Sequence, residues 1–187
     1  MTISDEKSRL RFDLKARRAT LGEEERVRAA RTLCDRLFPF LREQGARNVG
    51  VYLAQPVEIS LDPLVERLLE AGVVVSAPRL YLEKGTMNFV RLCSLGETRL
   101  GSWKLREPSG EEVVMPDWVL APGVGFDESG RRLGMGGGWY DRTFVLKMVK
   151  IGVCFDCQIV PRVPVEKHDW RMNWVFSDAR TVGPLEV

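Results

Sequence analysis

Leu64-Val65-Glu66-Arg67-Leu68-Leu69-Glu70-Ala71-Gly72-Val73-Val74-Val75-Ser76-Ala77-Pro78 is the stretch from which the architecture can be read. Leu64, Val65, Leu68 and Leu69 recur at helical spacing, and the pattern stops at Gly72, the residue a helix end favours. Residues 73–77 then form a continuous, largely β-branched run without polar alternation. That is the pattern of a strand covered on both faces. An amphipathic helix feeding a two-sided strand belongs to a layered α/β sheet.

The same alternation extends in both directions. Ser4 is expected to cap a first helix reaching about Thr20, with Asp5 and Glu6 at its positive end. Leu21-Gly22 breaks it, and Val27, Ala30, Leu33, Leu37 and Phe40 then mark a second helix that Pro39 kinks or ends. Strands are expected over residues 48–54, 87–92, 118–121, 150–155 and 174–176, with Ser60 or Asp62 capping the helix before residue 73. A further helix is expected over residues 139–147, and residues 93–116 read as loop with an edge strand at most. Nothing repeats and no linker divides the chain. The expectation is a single domain over residues 1–187, with a mostly parallel sheet between two helical layers. In such sheets ligands bind beyond the carboxyl ends of strands. Residues 54–58, those from Pro122 onward, and residues 156–158 are therefore expected to share one site.

Composition excludes several classes. The net charge of +2 is too small to argue for nucleic-acid binding. The first fifty residues carry 12 Lys/Arg against 8 Asp/Glu, which reads as solvated helix faces with a few bases free to meet a phosphate. The N-terminus has no apolar signal region and no run reaches transmembrane length, so cytoplasmic residence and no membrane partner are expected. Monomer is the default expectation. Cys154-Phe155-Asp156-Cys157 has C-x-x-C spacing, but no second pair stands nearby and His168 is the only histidine. Buried, unreactive thiols are the expected reading.

Seven of the 17 glycines fall between Gly123 and Gly138, culminating in Gly134-Met135-Gly136-Gly137-Gly138-Trp139-Tyr140-Asp141. Such a run frees the backbone for positive φ and bares its amides, which suits an anion at a helix start. Arg131 and Arg132 stand where they could reach that anion, and Asp141 where it could hold a divalent cation. No Gly-Lys-Ser/Thr ends the run, so it is not a Walker A loop, and the G-x-G-x-x-G reading fails as well.

The ordered pattern Pro122-Gly123-Val124-Gly125-Phe126-Asp127 followed by residues 130–142 closely resembles the signature of the 5-formyltetrahydrofolate cyclo-ligases, or methenyltetrahydrofolate synthetases. The resemblance extends over most of the chain and implies a NagB/RpiA/CoA transferase-like α/β fold. It implies that Lys7 and Arg11, one helical turn apart, contact nucleotide phosphates, together with Arg132, the amides of Gly134, Gly136, Gly137 and Gly138, Trp139 and Tyr140. Leu53, Glu58, Met135, Trp139 and Tyr140 are implied on the folate side, with Glu58 accepting adjacent pteridine donors. Asp141 and Asp169 are implied as Mg²⁺ ligands, and Arg132 and Tyr140 as catalytic. Gln158 falls where the family has a C-terminal Gln, and His168 takes no role.

The implied reaction is ATP- and Mg²⁺-dependent closure of 5-formyltetrahydrofolate to 5,10-methenyltetrahydrofolate, with release of ADP and phosphate. Its partners are small molecules only. Met135 and Trp139 stand where bacterial members commonly carry Tyr. A non-catalytic nucleotide- or folate-binding paralogue is the alternative that those departures leave open.

Overall fold

A computed structural model describes residues 2–186. Helix α1 (Ile3–Ala19) begins two residues earlier than a Ser4 cap would allow, because Thr2 and Asp5 form a reciprocal capping box. Its inward stripe is chemically mixed: Lys7, Leu14 and Arg18 are buried. Helix α2 (Glu23–Glu43) runs through Pro39 without ending. Aromatic packing holds the turn beyond it, since Phe40 meets Trp174 at 4.9 Å and Phe176 at 5.0 Å.

Strand β1 (Asn48–Gly50) is shorter than expected. The chain leaves the ladder because Tyr52 turns inward, its hydroxyl donating to the Ile59 carbonyl at 2.7 Å. Helix α3 (Asp62–Glu70) carries no side-chain cap bond; Ser60 Oγ instead accepts from Asp62 N at 3.2 Å. Strand β2 (Val74–Tyr81) continues past Pro78 into an antiparallel pairing with β3 (Thr86–Arg91).

Residues 93–116 hold more order than the sequence suggests. β4 (Thr98–Leu100) and β5 (Arg106–Pro108) form a two-stranded ribbon. Buried Arg79 pins it through Glu107, Glu111 and the Pro108 and Gly110 carbonyls, while Arg106 grips Asp62 through two nitrogens at 2.8 and 3.1 Å.

β6 (Trp118–Pro122) is followed by the hairpin β7 (Gly125–Phe126) and β8 (Arg132–Leu133). Helix α4 (Trp139–Thr143) is half its expected length, because the chain becomes extended at Phe144, whose ring enters the core. β9 (Val149–Val153), β10 (Trp174–Phe176) and β11 (Thr181–Val182) complete the chain.

The main sheet has the order β11-β10-β9-β6-β1-β2-β3, parallel except for its two outermost pairings. Period-two alternation splits its side chains between two cores. Leu120, Ile151 and Val153 face α2 and α3 on one side, while Val119, Ala121 and Val175 face Phe126, Phe144 and Met148 on the other. Helices thus cover the first face, and the hairpin and short α4 cover the second. α1 sits across the strand ends, where Leu14 packs with Val124, Leu133 and Val163.

Phe126 lies so close to β9 that a Cβ on Gly152 would come within 2.4 Å of its ring. Gly152→Ala should therefore overpack this core and cost about 1–3 kcal/mol in urea denaturation. A Phe126→Leu background should recover part of that loss.

Candidate active site

The residues to which the family resemblance assigned a ligand line one cleft of about 650 Å³ at the carboxyl ends of the central strands. α1 contributes Lys7 and Arg11, the segment after β1 contributes Leu53 and Glu58, and β8 with the following loop contributes residues 132–141. Leu133 sits in the small core beneath α1, so that Arg132, its neighbour in the strand, projects into the cleft.

The glycine loop needs its composition at two points. Gly136 and Gly138 adopt φ of +105° and +64°, and Gly138 in that left-handed conformation caps α4. The loop is held from outside by cations: Arg11 Nε donates to the Gly134 carbonyl at 2.8 Å, and Arg142 to the Gly137 carbonyl at 2.9 Å. Its tip, residues 135–137, remains exposed.

Charges in the cleft are paired. Lys7 Nζ donates to Asp169 at 2.6 Å and to Glu166 at 2.8 Å. Burial pulls the Lys7 ammonium down, but these two carboxylates outweigh it and hold it above its ordinary range. Burial likewise pushes the Asp169 carboxyl up, while Lys7 and the Glu166 amide bring it below its usual value.

Arg132 bonds Asp141 at 2.7 Å, reaches the Pro122 carbonyl at 3.2 Å, and stands over the Tyr140 ring at 5.5 Å. Its Nε–H is buried without an acceptor among the described residues. Burial raises the Tyr140 hydroxyl far above its ordinary range, so this group stays protonated at neutral pH. Trp170 ties the two acidic segments together, since its indole N–H donates to the Asp141 carbonyl at 3.1 Å. The buried Lys150 ammonium lies 4.8 Å from that indole ring and, among the described residues, donates only to the Met148 carbonyl.

Glu58 lies on the opposite wall, its carboxylate accepting the Gln55 amide at 3.0 Å. Burial raises its pKa, against smaller pulls from that amide and from Arg18.

Two expectations are corrected. Arg131 does not reach the loop; it pairs with Asp127, which also accepts the Ser129, Arg131 and Val163 amides and so closes the hairpin. Residues 156–158 do not join the cleft. Gln158 is buried behind it, donating to the Gly123 and Val124 carbonyls at 2.8 and 2.9 Å, while Asp156 pairs with Arg180. Both thus support the site from outside. The C-x-x-C thiols play no part in it: burial raises both, and Cys154 is fully enclosed.

Two cleft residues were missed. Glu166 offers a ligand atom within 4.8 Å of those of Asp169 and His168. Trp103, with φ of 54° on the ribbon turn, lines the cleft and meets Trp139 edge-on at 5.9 Å. An exposed tryptophan in a charged, irregular stretch was the available signal for it.

Glu58→Gln tests the electrostatics of the wall. Its folded-state pKa lies above the unfolded one, so the charged carboxylate opposes folding at neutral pH and acidification relieves that opposition. The variant should melt about 2–4 °C above wild type near neutral pH, with the gap closing toward pH ~4.5.

Known proteins of one family resemble this chain over most of its length. A model of the 5-formyltetrahydrofolate cyclo-ligase family matches residues 3–178. The 5-formyltetrahydrofolate cyclo-ligase of Escherichia coli K12 is 33% identical, over 89% of this chain and 97% of its own. The mouse protein of that description is 29% identical over 95% of this chain and 96% of its own. The NMR structure of Aquifex aeolicus 5,10-methenyltetrahydrofolate synthetase superposes with a TM-score of 0.85 at 28% identity, covering 97% of this chain and 94% of that one.

Proposed function

This chain belongs to the 5-formyltetrahydrofolate cyclo-ligase family and is an enzyme of that kind, and we propose that it closes 5-formyltetrahydrofolate to 5,10-methenyltetrahydrofolate at the expense of ATP. The observation that carries the nucleotide assignment is Arg132: a buried guanidinium beside a bare glycine loop, with an Nε–H that has no acceptor among the described residues. A phosphoryl oxygen would supply the missing acceptor.

The formyl group is a poor electrophile because its nitrogen donates into the carbonyl. Its oxygen attacks the γ-phosphorus of ATP and ADP departs. N10 then attacks the formyl carbon, phosphate leaves with the oxygen, and N10 loses its proton. The chain's task is placement and charge stabilisation. Lys7, Arg11 and Arg132 hold the phosphates, with the amides of residues 134–138 around them. Protonated Tyr140 donates toward the phosphorylated oxygen, and Glu58 accepts the pteridine donors. Trp103 and Trp139 form an aromatic wall beside it, and Leu53 and Met135 fill the remaining apolar contact.

The donors around Asp169 fit a hard divalent cation: two carboxylates converge closely enough to share one ammonium, which occupies a cation's place. Asp169 and Asp141 would hold Mg²⁺, which when bound neutralises charge on the polyphosphate. Residence in the cytoplasm, a monomeric state and a single domain belong to the same proposal. No described helix is long and apolar enough to cross a membrane.

Mixing the protein with 5-formyltetrahydrofolate, ATP and Mg²⁺ should raise the near-ultraviolet absorbance of the conjugated methenyl product. Arg132→Ala and Asp141→Ala should lower kcat/KM by at least ~10²-fold, the scale of losing one stabilising contact to the transferred group. ATP binding without any absorbance rise would instead identify a non-catalytic paralogue.

A further inference from the structure

The cations assigned to phosphate and the acids assigned to the metal are bonded to each other. Lys7 bridges Glu166 and Asp169, and Arg132 grips Asp141. Apart from Glu166, these side chains are largely buried, with Lys7 itself 7% exposed. Removing one member of such a pair leaves a poorly solvated charge uncompensated. Resting on the nucleotide reading above, we infer that Glu166 is a further residue of the cation seat, and that with Asp169 it keeps Lys7 there as a placeholder until metal and nucleotide arrive together.

The electrostatics require both ligands. A divalent cation alone would displace the Lys7 ammonium but leave it beside the new charge with no counter-ion. A polyphosphate alone would draw Lys7 away but then face two bare carboxylates. When both bind, Glu166 and Asp169 take the metal, Lys7 takes a phosphate, and every charge keeps a partner. Arg132 and Asp141 repeat the exchange at the same seat, since Asp141 lies against Trp170, the residue after Asp169. Each ligand should therefore raise the other's affinity by the same factor, on the order of 5–150-fold.

Glu166 and Asp169 are joined through the Glu166 amide, which donates to Asp169 Oδ2 at 2.7 Å, so the turn presents both together. His168, 3.8 Å from Asp169, is exposed and contributes no charge to the exchange unless protonated.

The test uses Mn²⁺ alone as probe, its free fraction counted by electron paramagnetic resonance, with the full chain and no nucleotide. Lys7→Met should bind Mn²⁺ at least ~10-fold more tightly than wild type, because the placeholder is gone. Arg11→Met, which removes an equal charge bonded to a carbonyl rather than to the acids, should not. Glu166→Gln should bind ATP in the presence of EDTA more tightly than wild type, because Lys7 is then held by one carboxylate.

A merely structural Lys7 would give none of these gains. Unchanged or weaker Mn²⁺ binding by a folded Lys7→Met, with MgATP still bound by wild type, overturns this inference and spares the nucleotide reading. Wild type that binds no MgATP overturns both. Should Lys7→Met fail to fold by circular dichroism, the Glu166→Gln arm decides: tighter metal-free ATP binding supports the exchange, and unchanged binding overturns it.

Discussion

Much of this structure depends on one close approach, that of the Phe126 ring to the backbone of β9 and of Gly123, the residue after β6. A Cβ on Gly123 or on Gly152 would fall within 2.6 Å of that ring, so two glycines on separate segments make the space for one buried aromatic side chain. Phe126 in turn fixes the β7–β8 hairpin against the sheet, and the hairpin delivers Arg132 to the cleft. Asp127 locks the turn by accepting three main-chain amides. The glycine loop that follows can be bare at its tip because its base is so firmly placed. Rigidity at the base and exposure at the tip are what an anion cradle requires.

A second constraint is electrical. Seating cationic and acidic side chains in one partly enclosed cleft is costly unless each charge has a partner. The fold meets this by pairing Lys7 with Asp169 and Glu166, and Arg132 with Asp141, across elements far apart in sequence. Trp170 ties the acids' two segments together. The wall bearing Glu58 is different: among the described residues its carboxyl has an amide partner and a distant arginine but no ion-pair partner. A site whose charges are paired around the glycine loop and that carries an underpartnered acid elsewhere is suited to two ligands of different chemistry.

Local patterns fared well wherever one neighbour decides conformation. The helix ending before Gly72 and the break at Leu21-Gly22 stand as read, and a strand does follow Gly72, although it runs on through Pro78 to Tyr81. Errors cluster where distant contacts intervene. α2 passes Pro39 because Phe40 is locked among aromatic rings, and α4 stops early because Phe144 is drawn into the core. The ribbon over residues 98–108 has weak strand character of its own. It exists because Arg79, on another strand, takes up Glu107 and two of its neighbouring carbonyls.

The site divides along the same line. The ordered run from Pro122 to Arg142 marked the glycine cradle, Arg132 and Asp141, because the backbone chemistry of an anion loop is carried by consecutive residues. Layered α/β architecture also followed from periodicity alone, since helical stripes and two-sided strands impose different spacings on apolar residues. Tertiary structure decided which charges meet. Arg131 and Arg132 are adjacent in the chain, yet one closes a turn and the other enters the cleft, because Arg131 ends the hairpin turn on Asp127 while Arg132 opens β8. Glu166 and Trp103 became site residues only through contacts with Lys7 and Trp139, on segments that folding brings beside them.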